Sequence, residues 1–238
     1  MNDIERLKLL IKESDNIVFF GGAGVSTESG IPDFRLQDGI YNQKYAYPPE
    51  VILSHEFFVC NPQEFFRFYF DKMIYTQAKP NAAHLKLAEA EQKGKVTGVI
   101  TQNIDGLHYA AGSENVCELH GSVHRNHCEW CGQAYSLEDV LGFAPGVPRC
   151  SCGGIIKPDV VLYGESLDDK VVKKSLSLIS SCDLLIVGGT SLNVYPAAGL
   201  VEYCNAPIVV VNKSATPYDN KAELVVNQPI GEVFSKVW

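Results

Sequence analysis

Four cysteines and one histidine are the residues of this chain best placed to do chemistry. Cys128 and Cys131 form a C-x-x-C pair, and Cys150 and Cys152 a tighter C-x-C pair. Two pairs separated by a short insert suit one tetrahedral zinc ion held by four thiolates. With four protein ligands such an ion has no open position, so it folds a small module and does no chemistry. The catalyst must lie beside it. His120, in a His120-Gly121 step just before the first pair, is the first candidate. A neutral imidazole near pH 7 can take a hydroxyl proton; the competing reading of a lone histidine is a cap on a strand end.

A second feature is the loop GGAGVSTESGIPDFR at 21–35. Glycines let a backbone approach a pyrophosphate, and a following helix N-terminus offers it free N–H groups. Gly22 and Gly24 fit G-x-G, but the third glycine of G-x-G-x-x-G is missing, since Thr27 stands there. A tight strand-to-helix turn is an equal reading of these glycines. A hydride-transferring dehydrogenase is disfavoured, because the ribose-binding acid expected after its second strand has no counterpart.

The elements that must carry these residues alternate. Ile4, Leu7, Leu10 and Ile11 recur at helical spacing, which predicts a helix over 3–13. Residues 16–22 form a buried-strand run ending in glycine. Residues 62–78 and 81–93 read as helices, 95–103 and 116–121 as strands, 158–164 as a strand and 168–181 as a helix. Residues 183–189 and 207–212 are further strands, Pro196 opens another helix, and 229–238 closes the chain as a helix. Continuous apolar strands alternating with helices imply a parallel sheet covered on both faces, whose ligands bind at the strands' carboxyl ends. The expected fold is α/β: a Rossmann-like parallel sheet with helices on both faces, plus a small zinc-binding module over 121–156 and a helical insert over 36–80. The large lobe takes 1–35, 81–120 and 157–238, all within a single domain spanning 1–238. In the insert, Gly39-Ile40-Tyr41 suits a lid that orders on ligand binding.

Composition narrows the partners. The chain has 238 residues, 46% hydrophobic and 20% charged, with net charge −8. No Lys/Arg run appears, which argues against nucleic acid. The N-terminus lacks a signal-peptide pattern, and no stretch approaches the roughly 20 apolar residues of a membrane span. The expectation is a cytoplasmic protein, without membrane contact, in a reducing compartment where paired cysteines bind metal. Cys60, Cys117, Cys182 and Cys204 lack such spacing and read as core thiols.

Gly22-Ala23-Gly24-Val25-Ser26, running into Gly30-Ile31-Pro32-Asp33-Phe34-Arg35, resembles the sirtuin motif. Thr101-Gln102-Asn103-Ile104-Asp105-Gly106-Leu107-His108, His120-Gly121, the cysteine pairs, the run from Lys157 to Glu165 and Gly189-Thr190-Ser191-Leu192 follow in that family's order. The likeness spans about 3–236. It implies an NAD-dependent protein-lysine deacetylase of bacterial type, with NAD consumed as co-substrate and one structural zinc. The acyl oxygen of the modified lysine attacks the ribose carbon bearing nicotinamide, a base then activates a ribose hydroxyl, and water finishes the reaction. The products are nicotinamide, O-acetyl-ADP-ribose and free lysine.

The resemblance also assigns residues. His120, Asn103 and Asp105 are the catalytic set, with His120 as base and the other two positioning ribose, water and the nicotinamide amide. Ala23, Thr27, Phe34, Arg35, Gln102, Ile104, Thr190, Ser191, Asn212 and Ile230, together with Asp105 and His120, bind NAD. Val161, Tyr163, Gly164 and Glu165 on one side, and Asn193-Val194-Tyr195 on the other, border the acyl-lysine tunnel, where a peptide adds as a strand. Competing readings are a polar turn for 102–105, core packing for Phe34, a loop-structural role for Asn212 and Ile230, and a plain buried strand for 160–162.

Two departures from the family pattern stand out. The second cysteine pair is C-x-C rather than C-x-x-C; His127 could substitute as a ligand, although four thiolates remain. Family members that remove succinyl groups carry a tyrosine and an arginine where this chain has Phe66 and Tyr69. An anionic acyl group would therefore be buried unpaired, at a cost, so acetyl or longer apolar acyl groups are expected. Alternatives are removal of longer apolar acyl groups, mono-ADP-ribosyltransferase activity and a non-catalytic NAD- or peptide-binding module. Partners are acetyl-lysine proteins or peptides, and a monomer is expected.

Overall fold

The computed structural model describes residues 2–33 and 45–238. Phe34, Arg35 and the lid segment Gly39-Ile40-Tyr41 lie outside the described residues.

Helix α1 (Asp3–Glu13) starts at a capping box. Asn2 accepts from the Glu5 N–H at 2.9 Å, and Glu5 accepts from the Asn2 N–H at 3.0 Å. Strand β1 (Ile17–Gly21) is buried along its whole length. Three short helices follow the undescribed segment: α2 (Pro49–Ile52), α3 (His55–Cys60) and α4 (Pro62–Lys72). The last ends six residues before the sequence-based boundary. Then come α5 (Ala82–Gln92), β2 (Val96–Thr101), α6 (Leu107–Ala110) and β3 (Val116–Glu118). The cysteine region holds β4 (Gly121–Cys128), β5 (Ala134–Ser136), α7 (Leu137–Leu141) and β6 (Ile156–Val160). The chain returns through α8 (Asp169–Ser181), β7 (Leu184–Gly188), a 3-10 turn at Ala197–Tyr203, β8 (Ile208–Val211), β9 (Leu224–Val226) and α9 (Ile230–Val237).

Six strands form one parallel sheet in the order β3-β2-β1-β7-β8-β9. This is doubly wound, and its order reverses between β1 and β7, where such sheets bind ligands. Alternation along β1 divides the core. Ile17 and Phe19 pack with Leu7, Ile11, Leu87, Val233 and Phe234 of the helices on one face. Val18 and Phe20 pack on the other with Ile179 and the Ala197–Tyr203 turn.

The strand expected at 158–164 differs. Residues 156–160 join β4 and β5 in a separate antiparallel sheet, order β5-β4-β6, and the chain leaves strand geometry after Val160. Glu165 explains the departure: its Oε2 accepts from the Leu162 N–H at 2.8 Å, folding the loop back on itself. A third core joins Ile52, Phe58, Phe65, Phe66, Phe68 and Tyr69 of the helical insert to Val123, Cys128, Val140, Cys150, Ile156 and Val160 of the cysteine region. Read separately from sequence, these two segments form one packed small lobe. Phe66 and Tyr69 are fully buried in it, so neither reaches the cleft; Met73 and Tyr75 line it instead. Of the isolated cysteines, Cys117 and Cys182 are buried and Cys204 is half-buried, but Cys60 is exposed near the end of α3 and is no core thiol.

Candidate functional site

A cleft of about 350 Å³ opens at the carboxyl ends of β1, β2 and β7, between the large sheet and the small lobe. Of the residues singled out from sequence, Ala23, Gln102, Asn103, Ile104, Asp105, His120, Val161, Tyr163, Gly164, Glu165, Thr190, Ser191 and Val194 all line it.

The loops at the sheet's switch point interlock, which explains their glycines. Gly24 donates its N–H to the Gly189 carbonyl at 2.8 Å. A Cβ on Gly24 would lie 2.8 Å from that backbone, and one on Gly22 would lie 2.9 Å from Thr190 Cβ. Two strand-end loops can approach this closely only without side chains. Gln102 adds a third loop to the lock: its Nε2 donates to Thr190 Oγ1 at 3.0 Å.

The floor is a chain of hydrogen bonds. Asn103 Nδ2 donates to Ser26 Oγ at 3.0 Å, and Ser26 Oγ donates to Asp105 Oδ2 at 2.6 Å. Asp105 Oδ1 accepts from the Leu107 N–H at 2.9 Å. The Asp105 carbonyl accepts from His124 Nε2 at 2.9 Å, and a Cβ on Gly106 (φ 72°) would collide with that imidazole at 2.7 Å. Ser26 was not among the residues singled out as functional; its signal was a short hydroxyl inside the 22–26 motif.

His120 sits between β3 and β4. Its Nδ1 donates to the Gln102 carbonyl at 2.9 Å. A carbonyl only accepts, so the neutral ring carries its proton on Nδ1 and its lone pair on Nε2. Gly121 (φ 75°) follows by necessity, since a Cβ there would lie 1.7 Å from the Asp159 carbonyl oxygen.

The opposite wall is the 160–165 loop. Val161 N–H donates to the His120 carbonyl at 3.0 Å, Tyr163 N–H to Leu53 O at 2.9 Å, and His55 N–H to Tyr163 O at 2.9 Å. Beneath it the buried Lys157 ammonium donates to Val160 O at 3.0 Å and lies 3.2 Å from Glu165 Oε2. His55 Nδ1 meets Glu165 Oε1 at 2.8 Å. Burial pushes the Glu165 carboxyl up, but the Leu162 N–H, His55 and Lys157 outweigh it and hold it below the usual carboxylate range.

Four singled-out residues are not brought to the cleft. Ile230 is a core residue, 3% exposed, with its Cδ1 against Gly188. Thr27 Oγ1 donates to Gly24 O at 3.0 Å and closes the glycine turn. Asn212, at the end of β8, caps its own loop by donating to Ser214 O at 2.8 Å. Asn193 is exposed beside the lining residue Val194.

The sulfur atoms of Cys128, Cys131, Cys150 and Cys152 all lie within 4.8 Å of one another. Cys128 and Cys152 are 3.4 Å apart, and Cys131 and Cys150 3.6 Å. Tetrahedral thiolates about 2.3 Å from a zinc ion stand roughly 3.8 Å apart, so the donor set fits such an ion. The shorter second pair closes because Cys150 N–H donates to Gly154 O and Gly153 N–H to Cys150 O, both at 2.9 Å. Gly153 has φ 91°, and a Cβ on Gly154 would lie 2.6 Å from Cys128 Sγ. His127 is engaged elsewhere, by Asp159 through Nδ1 and by Glu129 through Nε2 at 3.1 Å.

A doubly wound sheet with an interlocked glycine loop at its switch point, an acid–amide–imidazole floor and a four-thiol lobe defines a nucleotide-site α/β protein with a metal-type module. The Sir2 family model matches residues 22–196. A curated NAD-dependent protein deacetylase of Clostridium acetobutylicum is 56% identical over 241 residues, covering 100% of this chain and 98% of its own. One of Staphylococcus aureus strain N315 is 42% identical, covering 98% and 96%. Among solved structures, a Sir2 described with a p53 peptide and NAD+ superposes with TM-score 0.88 at 41% identity, covering 100% of this chain and 97% of that one. A Sir2 described as bound to acetylated peptide gives 0.88 at 39%, with the same coverage. This chain belongs to the Sir2 family.

Proposed function

We propose that this chain removes acetyl groups from protein lysines while consuming NAD, releasing nicotinamide, O-acetyl-ADP-ribose and free lysine. The observation that carries the reading is the meeting of His120, Asn103, Asp105 and Ser26 with Ala23 and Thr190 at the switch point of the sheet. Relatives similar over their whole length are named for this activity, and related structures are described with NAD+ or acetylated peptide.

Bound NAD supplies a ribose carbon whose bond to nicotinamide breaks as the acyl oxygen attacks it. Asp105 is fixed at both carboxylate oxygens by Ser26 and the Leu107 N–H, and its remaining lone pairs suit a carboxamide N–H. Asn103, anchored through its Nδ2, turns its side-chain oxygen to a ribose hydroxyl or water. Once nicotinamide has left, His120 Nε2 takes the proton of a ribose hydroxyl, and the Gln102 carbonyl steadies the imidazolium that forms. Ala23 and the Thr190-Ser191 turn hold the phosphates; Phe34 and Arg35 are assigned to NAD by their place in the family motif. Ile104 borders the nicotinamide. An extended peptide lies between the 160–165 loop and Val194, pairing mostly through backbone, so sequence preference is loose.

One structural zinc ion in the four-thiol cluster belongs to the same proposal, on the strength of the sulfur spacing. So do action in the cytoplasm, for which paired metal-binding cysteines speak, and the absence of a nucleic-acid partner, for which the net charge of −8 speaks; a monomer completes the proposal. Among the described residues no helix is long and apolar enough to cross a membrane.

The test is an acetyl-lysine peptide incubated with and without NAD, followed by peptide mass and nicotinamide release. Loss of acetyl matched by nicotinamide, only with NAD, is the expected result. Deacetylation without NAD, or gain of ADP-ribose on the peptide in place of acetyl loss, overturns it.

A further inference from the structure

Cys182 and Cys204 are far apart in sequence and belong to neither cysteine pair of the small lobe, yet their sulfur atoms touch at 3.9 Å. Cys182 is the C-cap of α8, and its sulfur lies 3.2 Å from Ile179 O. Cys204 ends the Ala197–Tyr203 turn, with its thiol against Ala206 O at 3.5 Å. The two are unequal in access. Cys182 is buried, whereas Cys204 is half-buried and lines a solvent-open hollow of about 460 Å³ together with Ala206, Tyr218, Lys221 and Glu223. A small solute can therefore reach one sulfur while the other waits behind it.

We propose that Cys182 and Cys204 form a reversible dithiol–disulfide site, oxidised by a hydroperoxide and reduced by a low-molecular-weight thiol. In the first step the Cys204 sulfur attacks a peroxide oxygen. The O–O bond breaks, water leaves, and Cys204 becomes a sulfenic acid. In the second step the Cys182 sulfur attacks the Cys204 sulfur. The S–S bond forms, the S–O bond breaks, and a second water leaves with the Cys182 proton. Two thiols and one hydrogen peroxide give one disulfide and two waters, and the two electrons pass from sulfur to the peroxide. Two external thiols reverse the change by exchange, ending as their own disulfide.

Three observations favour this over inert core packing. The sulfurs are already in contact, so closing to the ~2.05 Å of a disulfide needs a short approach. The reachable sulfur is also polarised toward thiolate: the hydrogen bond it shares with Cys182 outweighs burial and holds Cys204 below the ordinary thiol range. The bond would close a loop of ~20 residues that contains β7 and the cleft-lining Thr190, Ser191 and Val194. Oxidation would thus staple the segment that carries one wall of the site, without touching the four-thiol cluster.

The chain offers a clean readout, because the tryptic peptide 175–213 contains Cys182 and Cys204 and no other cysteine. The full-length protein is treated with equimolar hydrogen peroxide, alkylated with iodoacetamide under denaturing conditions and mapped without reduction. The expected result is that this peptide loses two hydrogens and takes up no alkyl group, and that dithiothreitol before alkylation restores two alkylated cysteines. In Cys204→Ser the peptide takes one alkyl group with or without peroxide. The proposal is overturned if both thiols of the wild-type peptide stay alkylatable while other cysteines oxidise. It is equally overturned if either sulfur pairs with a different cysteine, or if dithiothreitol does not reverse the change. The mapping needs no catalytic turnover, so it stands or falls separately from the deacetylase reading.

Discussion

Ser26 donates to Asp105 across 2.6 Å and accepts from Asn103 across 3.0 Å, so one hydroxyl orders both polar groups on the floor of the cleft. Removing it leaves the carboxylate held at one oxygen only, by the Leu107 N–H, and takes away the hydroxyl that anchors the Asn103 amide, without removing either group. Ser26→Ala is expected to lower kcat about 10-fold or more, equivalent to roughly 1.4 kcal/mol of transition-state stabilisation. Steady-state kinetics check this, and unchanged kcat would show that Asp105 and Asn103 are positioned by other means.

His120 and Gly121 make a linked pair of predictions. The base acts after nicotinamide has left, so His120→Ala should lose deacetylation by about 100-fold or more while exchange of labelled nicotinamide into NAD persists. Gly121→Ala keeps the imidazole but forces a Cβ toward the Asp159 carbonyl, at 1.7 Å in the present backbone. It is expected to reduce deacetylation as well, with lowered thermal stability. A Gly121→Ala protein of normal activity and melting temperature would contradict the close approach of β4 and β6.

Chelation of the metal, or Cys128→Ser, should loosen the small lobe, because Cys128 and Cys150 sit in the same core as Phe58, Phe65 and Tyr69. The expected signs are metal loss in a colorimetric zinc assay, a lower melting temperature and reduced activity, since Met73, Leu53 and Val160 of that lobe line the cleft. Folded, fully active protein without zinc would remove the metal from this account.

The cleft should select against negatively charged acyl groups. Asp33, Glu50, Asp105 and Glu165 line it, while no lysine or arginine does so among the described residues. Phe66 and Tyr69 are withdrawn into the aromatic core. A succinyl carboxylate would enter without a cationic partner. Succinyl-lysine peptide is expected to show kcat/KM at least about 10-fold below acetyl-lysine peptide. Equal turnover of the two would refute this.

Acid should weaken the fold through His84 and His108. Both are buried beside one another, ring centroids 4.7 Å apart, and three of their ring nitrogens find no hydrogen-bond partner among the described residues. Burial lowers His84 from 6.5 to about 4, partly offset by the Asp105 charge, and burial together with His84 holds His108 well below 6.5. Above pH 6.5 both states of the chain keep these rings neutral, so their contribution to stability is complete. Below it the unfolded chain takes up protons that the folded one refuses, and stability falls as pH drops toward 4. For His84 alone this is about 3 kcal/mol over the window. Urea unfolding at pH 7 and pH 4.5 measures it, and His108→Phe should flatten the dependence.

Much of this was legible in the sequence. The runs at 16–22, 95–103, 183–189 and 207–212 announced buried parallel strands, and the polar or glycine ends of the first three located the cleft, which Asn212 at the end of the fourth does not reach. The sulfur cluster followed from cysteine spacing alone. What escaped was tertiary. Strand β4 shifts its register against β6 between Ser122 and Asn126, so no single alternation need run along 121–128, and the sequence predicts no strand over 122–128. Strand β9 is three residues long, too short for any period to show. Ile230 reads like any apolar residue near a helix start, and only the packing of its side chain on Gly188 turns it inward. Ser26 was quoted in a motif, but its bond to Asp105, 79 positions away, had no sequence signal.

The aromatic helices near residues 52–69 and the sulfur-bearing strands beyond residue 123 share a single interior. Neither stretch is therefore a portable part. A chimera that takes the cysteine strands from one relative and the phenylalanine-rich helices from another would confront two mismatched half-interiors, whereas exchanging both together should preserve them. The unit of inheritance in this half of the molecule is a pair of distant chain segments, and sequence swaps between relatives should succeed or fail by that pairing.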